Sequence, residues 1–291
     1  MRNSCTLRKR CEPRRLPRWP IDRQFASYSA HIGNAALLSE MELSNQDPLK
    51  RREGDAIHIS GDYQARALKS DRAAQRFWHE AKFRLMERTA MPGKHDRVLD
   101  AGCGSGTISH FLSLHAGEVV GIDSNTSAID YATSAYCSPN LEFRLGQFED
   151  LMADKPFDRI YCVEVIEHLY EQQVADVLSL FYNLTNPGGH LFLTTPNYRS
   201  AWPIIELALD RLGLAAKMNE VQHVTHFTKR KLTAVCERTG WRVRHIGTFN
   251  GLAPFIAPIS RRLALGMEKI EFSLSRLLPQ NLLFCLAKKE V

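Results

Sequence analysis

One glycine-rich turn constrains the fold of this chain more than any other stretch. The apolar residues Val98 and Leu99 lead into Asp100, and glycines then occupy positions 102, 104 and 106 before a helical pattern opens at Thr107. Glycine has no Cβ atom, so a ligand can approach the backbone of such a turn closely. A strand that passes through glycines into a helix is typical of the first strand and helix of an α/β sheet. Beyond it, strand and helix patterns alternate, which favours parallel strands joined by right-handed crossovers.

A second carboxylate follows the second predicted strand. The run Glu118–Ile122 ends in Asp123, at the sheet edge where a carboxylate can accept hydrogen bonds from two ribose hydroxyls. The glycine spacing G-x-G-x-G departs from the dinucleotide pattern G-x-G-x-x-G, and Asp100 would repel a pyrophosphate. The sequence contains no G-x-x-x-x-G-K-[ST] phosphate loop. These residues favour a phosphate-free nucleoside that carries an amino group, and a glycine turn without a ligand is the alternative.

Val98–Thr107 and Gly121–Asp123 resemble the first two motifs of the class I S-adenosylmethionine-dependent methyltransferases. The ligand of that family has ribose, sulfonium and ammonium groups and no phosphate, and the resemblance covers about residues 97–250. It implies a Rossmann-like, doubly wound α/β fold with a mostly parallel seven-stranded sheet. It also implies that the cofactor S-adenosylmethionine is bound by Asp100, Gly102, Gly104, Gly106, Asp123, Ser124, Gln147, Phe148 and Val163.

One of these cofactor contacts, Gln147, departs from the family's usual residue, and Arg84 is an additional candidate contact. Gln147 stands where the resembled family usually has Asp, and its amide can still meet the adenine amino group. Arg84 lies in the helical pattern that the sequence predicts from Asp62 to Thr89, ahead of the first strand. It is the candidate for binding the ligand's carboxylate, because a guanidinium can hold a carboxylate with two hydrogen bonds. A solvated helix arginine is the competing interpretation.

Cys162–Leu169 resembles the corresponding stretch of the ubiquinone-biosynthesis O-methyltransferases and of O-methyltransferases that act on sugars and secondary metabolites. The resemblance implies that Glu164 and His168 lie beside the acceptor. His168 would take the acceptor's proton, since histidine titrates near neutrality; a role only in capping the next helix is the alternative. The predicted activity is O-methylation of a small or lipid-like hydroxyl compound. An RNA ribose 2′-O-methyltransferase and a non-catalytic nucleoside-binding scaffold remain alternatives.

The same stretch contains residues that could bind a metal ion. Glu164, Glu167 and His168, together with His223 or His226, offer oxygen and nitrogen ligands that a divalent cation could use. The small-RNA 2′-O-methyltransferases have a comparable E-x-x-E-H arrangement, but their other RNA-binding signatures are not evident in this sequence. Glu-rich strand ends are common without ions, so we do not favour a divalent cation and assign no metal ligand.

Composition divides the chain in two. Residues 1–45 are basic and lack periodicity, and residues 1–40 alone hold five of the six net positive charges. We expect a disordered leader there; a transit-type segment and an upstream extension ahead of a start at Met41 are alternatives, of which the extension is favoured. We expect the methyltransferase domain at 50–291. Its near-neutral charge argues against an extended nucleic-acid footprint.

Two apolar stretches interrupt the late part of the domain, at about 199–221 and 251–279. They could form a lid over a hydrophobic acceptor, a surface that rests on a membrane, or packing in the core or a dimer. The sequence has no uninterrupted apolar run of about 18 residues, the length needed to span a bilayer. Seven cysteines without a C-x-x-C pair favour a reducing compartment. We expect a cytoplasmic protein, with peripheral membrane contact as an alternative; the oligomeric state is not predicted.

Overall fold

The computed structural model describes residues 60–201 and 223–291. The predicted leader at 1–45 and most of the predicted insertion at 199–221 lie outside the described residues. The described part contains a seven-stranded sheet in the order β3-β2-β1-β4-β5-β7-β6. Its strands are β1 (Arg97–Ala101), β2 (Glu118–Asp123), β3 (Leu141–Leu145), β4 (Phe157–Val163), β5 (Thr185–Pro196), β6 (Arg242–Phe249) and β7 (Leu282–Lys288). All pairs are parallel except those of β7 with β5 and β6, which confirms the predicted fold class.

Helices cover both faces of the sheet. They are α1 (Tyr63–Leu68), α2 (Ala73–Thr89), α3 (Thr107–Ser113), α4 (Thr126–Ala135), α5 (Glu171–Leu184), α6 (Lys229–Arg238), α7 (Ala253–Ile256) and α8 (Arg261–Ser273). Short 3₁₀ turns follow β3 at Phe148–Ala153 and β4 at Ile166–His168. None of the helices in the described ranges is both long enough and apolar enough to cross a membrane.

Alternate residues of β1 supply two separate cores. Leu99 is fully buried against α5 and α6, whereas Val98 is fully buried on the opposite face against α2 and α3. A central parallel strand has both faces covered, which is why its residues are apolar in succession rather than in alternation. The sheet is therefore a rigid platform whose carboxyl-terminal edge carries the loops.

The structure corrects the prediction of one helical stretch from Asp62 to Thr89. The chain leaves the helix at Lys69 and re-enters it at Ala73. Three hydrogen bonds of Ser70 stabilise the break: its hydroxyl donates to Gln75 Oε1 at 2.8 Å and accepts from the Arg72 N–H at 3.2 Å, and its carbonyl accepts from the Arg76 guanidinium at 2.6 Å. Because of this break, α1 can lie over the glycine turn while α2 packs against the sheet.

Strand β5 also begins earlier than its apolar pattern predicts. The sequence Asn-Pro-Gly-Gly at 186–189 is typical of a turn, but the strand starts at Thr185, and the pairing with β4 shifts register between Phe157 and Arg159. Gly188 has a φ of 79°, so the extra residues form an irregularity within the strand.

Candidate active site

The glycine turn requires glycine for two separate reasons. Gly102, Gly104 and Gly106 have φ values of 75°, 50° and 75°, in the left-handed region that other residues rarely adopt. Packing adds a second constraint, since a Cβ atom on Gly106 would lie 2.6 Å from Phe143 Cζ, and one on Gly102 would collide with the Val165 side chain. The turn is therefore fixed tightly between β1 and α3.

Asp123 holds this turn from the neighbouring strand. Its Oδ2 accepts a hydrogen bond from the Gly104 N–H at 2.8 Å, and its Oδ1 accepts one from the Asn125 N–H at 2.8 Å. Each carboxylate oxygen can accept a further hydrogen bond. The predicted cofactor contacts Gly104 and Asp123 are thus brought together, and Ser124 lies exposed beside them.

Helix α1 lies over the turn, the place that the family resemblance implies for an N-terminal helix. A Cβ atom on Gly104 would lie 3.1 Å from Gln64 Oε1. That oxygen is buried and has no hydrogen-bond partner among the described residues. A buried acceptor without a donor is unfavourable, so this position favours a polar ligand group between α1 and the turn.

Asp100 lies inside the protein at the end of β1. It is 1% exposed and accepts a hydrogen bond from the Ser109 hydroxyl at 2.6 Å. Burial raises the pKa of Asp100 to about 7, although the Ser109 hydrogen bond acts in the opposite direction. The carboxyl group can therefore exchange a proton near neutrality, and its contact with a ligand amino group stays a prediction.

The end of β3 presents Gln147 and Phe148. Gln147 is exposed, and its backbone N–H donates to Asp150 Oδ2 at 2.8 Å, which fixes the start of the 3₁₀ turn. Phe148 is half-buried, with its ring 5.3 Å from that of Phe181 in α5. Both residues lie at the same sheet edge as Asp123, because β3 pairs in parallel with β2.

A partly buried ion pair lies at the end of β4. Val163 is buried, and the next residue, Glu164, has a φ of 56°, a strained value for a residue with a Cβ atom. Its carboxylate pairs with Lys82 of α2, and Lys82 is only 4% exposed. Sequence reasoning missed Lys82, because nothing local marks a helix lysine as buried.

Two more titratable residues face this ion pair from α1 and α2. Burial raises the pKa of Tyr63, and the charge of Glu164 raises it further. Burial also holds the pKa of His79 well below its usual value of 6.5, with the charge of Lys82 acting in the same direction. His79 is therefore neutral near pH 7, and the Tyr63 and His79 rings meet edge to face at 6.0 Å.

Glu167, His168 and His223 form a cluster, with one potential ligand atom from each residue within 4.8 Å of the others. Glu167 is 1% exposed, and burial raises its pKa to about 7. Glu167 Oε2 has no hydrogen-bond partner within the described ranges. The cluster joins the 3₁₀ turn after β4 to the segment before α6, where the Thr225 N–H donates to the Glu167 carbonyl at 3.1 Å.

The structure separates the residues that the sequence offered together as metal ligands. His223 joins Glu167 and His168, and Tyr198 Oη lies 3.1 Å from His223 Nδ1. His226 instead stacks on the Tyr198 ring at 3.9 Å. Glu164 is paired with Lys82 and is not part of the described cluster.

Arg84 makes contacts away from the glycine turn. Its guanidinium pairs with Glu80 at 3.1 Å and with Glu268 of α8 at 2.6 Å, and it lies 4.3 Å above the Phe77 ring. These contacts join α2 to α8, a structural role that the sequence did not indicate. Of Lys82 and Arg84, it is Lys82 that α2 directs to the strand edge.

Comparisons with known proteins place this geometry in a family. The pattern of a family described as a methyltransferase domain matches residues 70–246. A ubiquinone biosynthesis O-methyltransferase of Xanthomonas campestris pv. campestris is 35% identical over 114 residues, which cover 38% of this chain and 46% of that protein. One of Pseudomonas syringae pv. syringae is 29% identical over 150 residues, which cover 46% of this chain and 63% of that protein. The chain spans about half the length of the curated relatives it matches.

Solved structures share the fold. An S-adenosylmethionine-dependent methyltransferase from Mesorhizobium loti superposes with a TM-score of 0.53 at 19% identity, over 72% of this chain and 97% of that one. One from Archaeoglobus fulgidus gives a TM-score of 0.53 at 22% identity, over 72% and 93%. At these identities the similarity concerns the arrangement of strands and helices.

Proposed function

Because the chain belongs to the methyltransferase-domain family, we propose that it transfers a methyl group from S-adenosylmethionine to the oxygen of a small or lipid-like hydroxyl compound. The observation that carries the choice of oxygen is the Glu167–His168–His223 cluster at the carboxyl-terminal edge of the sheet. A hydroxyl group must lose its proton as its oxygen is methylated, and these side chains can accept one. Curated relatives named ubiquinone biosynthesis O-methyltransferase support the same choice.

The residues of the glycine turn fit this cofactor. Asp123 retains acceptor capacity for two ribose hydroxyls, and exposed Gln147 can meet the adenine edge. The unpaired buried oxygen of Gln64 supplies an acceptor for the ligand's ammonium group, in addition to the expected contact of Asp100. Two carboxyl groups and an unpaired amide oxygen suit a cationic ligand without phosphates.

The reaction then depends on alignment and proton removal. S-Adenosylmethionine supplies a methyl group already activated by its sulfonium. The residues at the ends of β4 and β5 orient the acceptor oxygen toward that methyl group and exclude water. His168 accepts the acceptor's proton, and the neighbouring Glu167 stabilises the resulting imidazolium. Glu164, neutralised by Lys82, holds the strand end in position.

Cofactor binding is the first test. Thermal unfolding is measured with S-adenosylmethionine and with NAD; at a hundredfold excess over Kd a bound ligand adds about 2.7 kcal/mol to stability, roughly 5–10 °C for a domain of this size. We expect a shift with the first ligand only, lost in Asp123→Ala and retained in the control Asp130→Ala on the exposed face of α4. A shift with NAD alone would refute the proposal.

Proton removal is tested separately. His168→Ala should lower kcat on a phenolic acceptor by about 10²–10⁴-fold while the S-adenosylmethionine thermal shift is retained. His115→Ala, at an exposed position after α3, is the control and should be unaffected. Undiminished turnover in His168→Ala would remove His168 from the mechanism.

A divalent cation is a second use for the same cluster. Two imidazoles and one carboxylate form a set of ligands that first-row transition metals bind. Glu167 Oε2 has no hydrogen-bond partner among the described residues, so it is available to a cation. A cation would orient the acceptor oxygen and lower its pKa. Activity measured after chelator treatment and dialysis decides between the two: full activity would exclude a required cation, and loss restored by Mn²⁺ or Zn²⁺ would support one.

A further inference from the structure

The outer face of α8 is a surface that the proposed reaction does not use. Strand β6 runs parallel to β5, since both pair antiparallel with β7. Its end at Phe249 therefore lies at the same sheet edge as the candidate active site. Helices α7 and α8 follow directly and pack on α2, the helix that carries Lys82.

The segment 251–280 has two acidic residues, Glu268 and Glu271, and both lie on the inward face of α8. Glu268 is buried and pairs with Arg84 and Arg88 of α2. Glu271 is buried and accepts a hydrogen bond from the Leu252 N–H, and the Ala253 N–H donates to the same oxygen at 3.3 Å. No carboxylate of this segment remains on the outside, so the exposed face of α8 carries no negative charge.

The outward face carries two parallel rows at seven-residue spacing. The apolar row consists of Leu263, Ile270 and Leu277, which are 64%, 57% and 79% exposed. The cationic row, one residue earlier at each step, consists of Arg262, Lys269 and Arg276, all exposed. Seven residues make nearly two helical turns, so each row lies along one side of α8 and its C-terminal turn.

More apolar residues extend the apolar row on the N-terminal side. Ile259 is 82% exposed, and Leu252 and Phe255 of the α7 region are at least half exposed. Apolar side chains gathered in one patch differ from single exposed ones, because a contiguous patch marks a contact surface. None of the residues in the cationic row forms an ion pair with a described acid.

We propose that this face of α8 binds the surface of an anionic membrane. Large apolar side chains beside lysine and arginine are the arrangement by which an amphipathic helix lies in the interface plane. The apolar row enters the acyl boundary, and the long cationic side chains extend to the lipid phosphates. A second copy of the chain fits less well, since a two-fold contact through this face would bring two cationic rows together.

This position would give the membrane-bound protein access to apolar acceptors. Helix α2 contacts α8 and also carries Lys82, which pairs with Glu164 at the sheet edge. Docking through α8 would therefore hold that edge toward the lipid. The membrane site stands on the exposed rows alone and does not depend on the proposed methyl transfer. An amphiphilic hydroxyl compound dissolved in the bilayer would reach the cleft without crossing water.

Co-sedimentation of the full chain with vesicles tests the proposal. One set of vesicles is phosphatidylcholine alone, and the other contains phosphatidylglycerol as well. The first variant replaces the apolar row by glutamine, which keeps the net charge, so any binding by basic residues 1–45 is unchanged. The matched control replaces the exposed Leu114 and Met152 by glutamine.

We expect binding to the anionic vesicles only. The apolar-row variant should bind on the order of a hundredfold more weakly, and the control should bind like the unsubstituted protein. A second variant replaces the cationic row by glutamine at exposed positions, where no described ion pair is lost. It should lose about fivefold in affinity per cation removed.

Three outcomes would overturn the proposal. The first is unchanged vesicle binding in the apolar-row variant. The second is binding of the unsubstituted protein to the neutral vesicles that is as tight as its binding to the anionic vesicles and is unchanged in the cationic-row variant. The third is a dimer, measured by light scattering, that the apolar-row variant abolishes while vesicle binding is absent; the occupant would then be a second copy.

Discussion

Replacing Asp100 by asparagine should stabilise the protein more at pH 8 than at pH 5. Asp100 is 1% exposed beneath the glycine turn, and its one described side-chain hydrogen bond comes from the Ser109 hydroxyl. Burial raises its pKa from 3.8 to about 7. Asparagine keeps an oxygen that Ser109 can donate to, but it carries no charge at any pH.

The sign and size follow from proton linkage. A carboxyl group with a raised pKa in the folded state binds its proton more tightly there, so its contribution to stability is greatest below pH 3.8. That contribution falls as pH rises and reaches its minimum above about pH 7. A shift of this size corresponds to about 4 kcal/mol at high pH. Between pH 5 and pH 8 the advantage of asparagine should therefore grow by about 3 kcal/mol.

The measurement is the free energy of unfolding from urea titrations at both pH values. The quantity compared is the difference between Asp100→Asn and the unsubstituted protein, which removes the titration of every other group. Asp130→Asn, exposed on α4, should give the same difference at both pH values. A difference for Asp100→Asn that does not change with pH would show that the carboxyl group is not destabilised by burial.

Three further predictions concern the strand edge. Gly106→Ala should lower the free energy of unfolding by about 1–3 kcal/mol, because φ is 75° and a Cβ atom would meet Phe143; a neutral substitution in urea titrations would contradict the tight packing of the turn. Glu164→Gln should lower the free energy of unfolding by roughly 2–3 kcal/mol and Lys82→Gln by about 1 kcal/mol. The reason is that Lys82 is the more deeply buried partner and would be left charged without a carboxylate. Equal losses in the same titrations would argue against that asymmetry. Glu167→Gln should make stability depend less on pH between about 5 and 8, since burial raises the pKa of Glu167 from 4.5 to about 7 and its contribution is lost as pH rises through that range; an unchanged pH dependence of unfolding would refute this.

Local features were predicted well. The strand–glycine–helix order at Val98–Thr107 and the carboxylate at Asp123 depend on residue types close together in the chain, and both are found as expected. The break between α1 and α2 was missed, although residues 69–72 are polar and interrupt the apolar pattern; hydrogen bonds of Ser70 and Arg76 stabilise the break. The cofactor and catalytic roles of the individual residues stay predictions.

The sequence by itself determined the α/β sheet and the edge at which its polar residues gather, because strand periodicity and the lack of Cβ atoms at the turn are local properties. Only the tertiary structure decided the partners of those residues. Lys82 meets Glu164, and His223 rather than His226 joins Glu167, through contacts between segments far apart in the chain. Such pairs depend on how helices cross the sheet, and burial then sets their charge states; neither is encoded within a short window of residues.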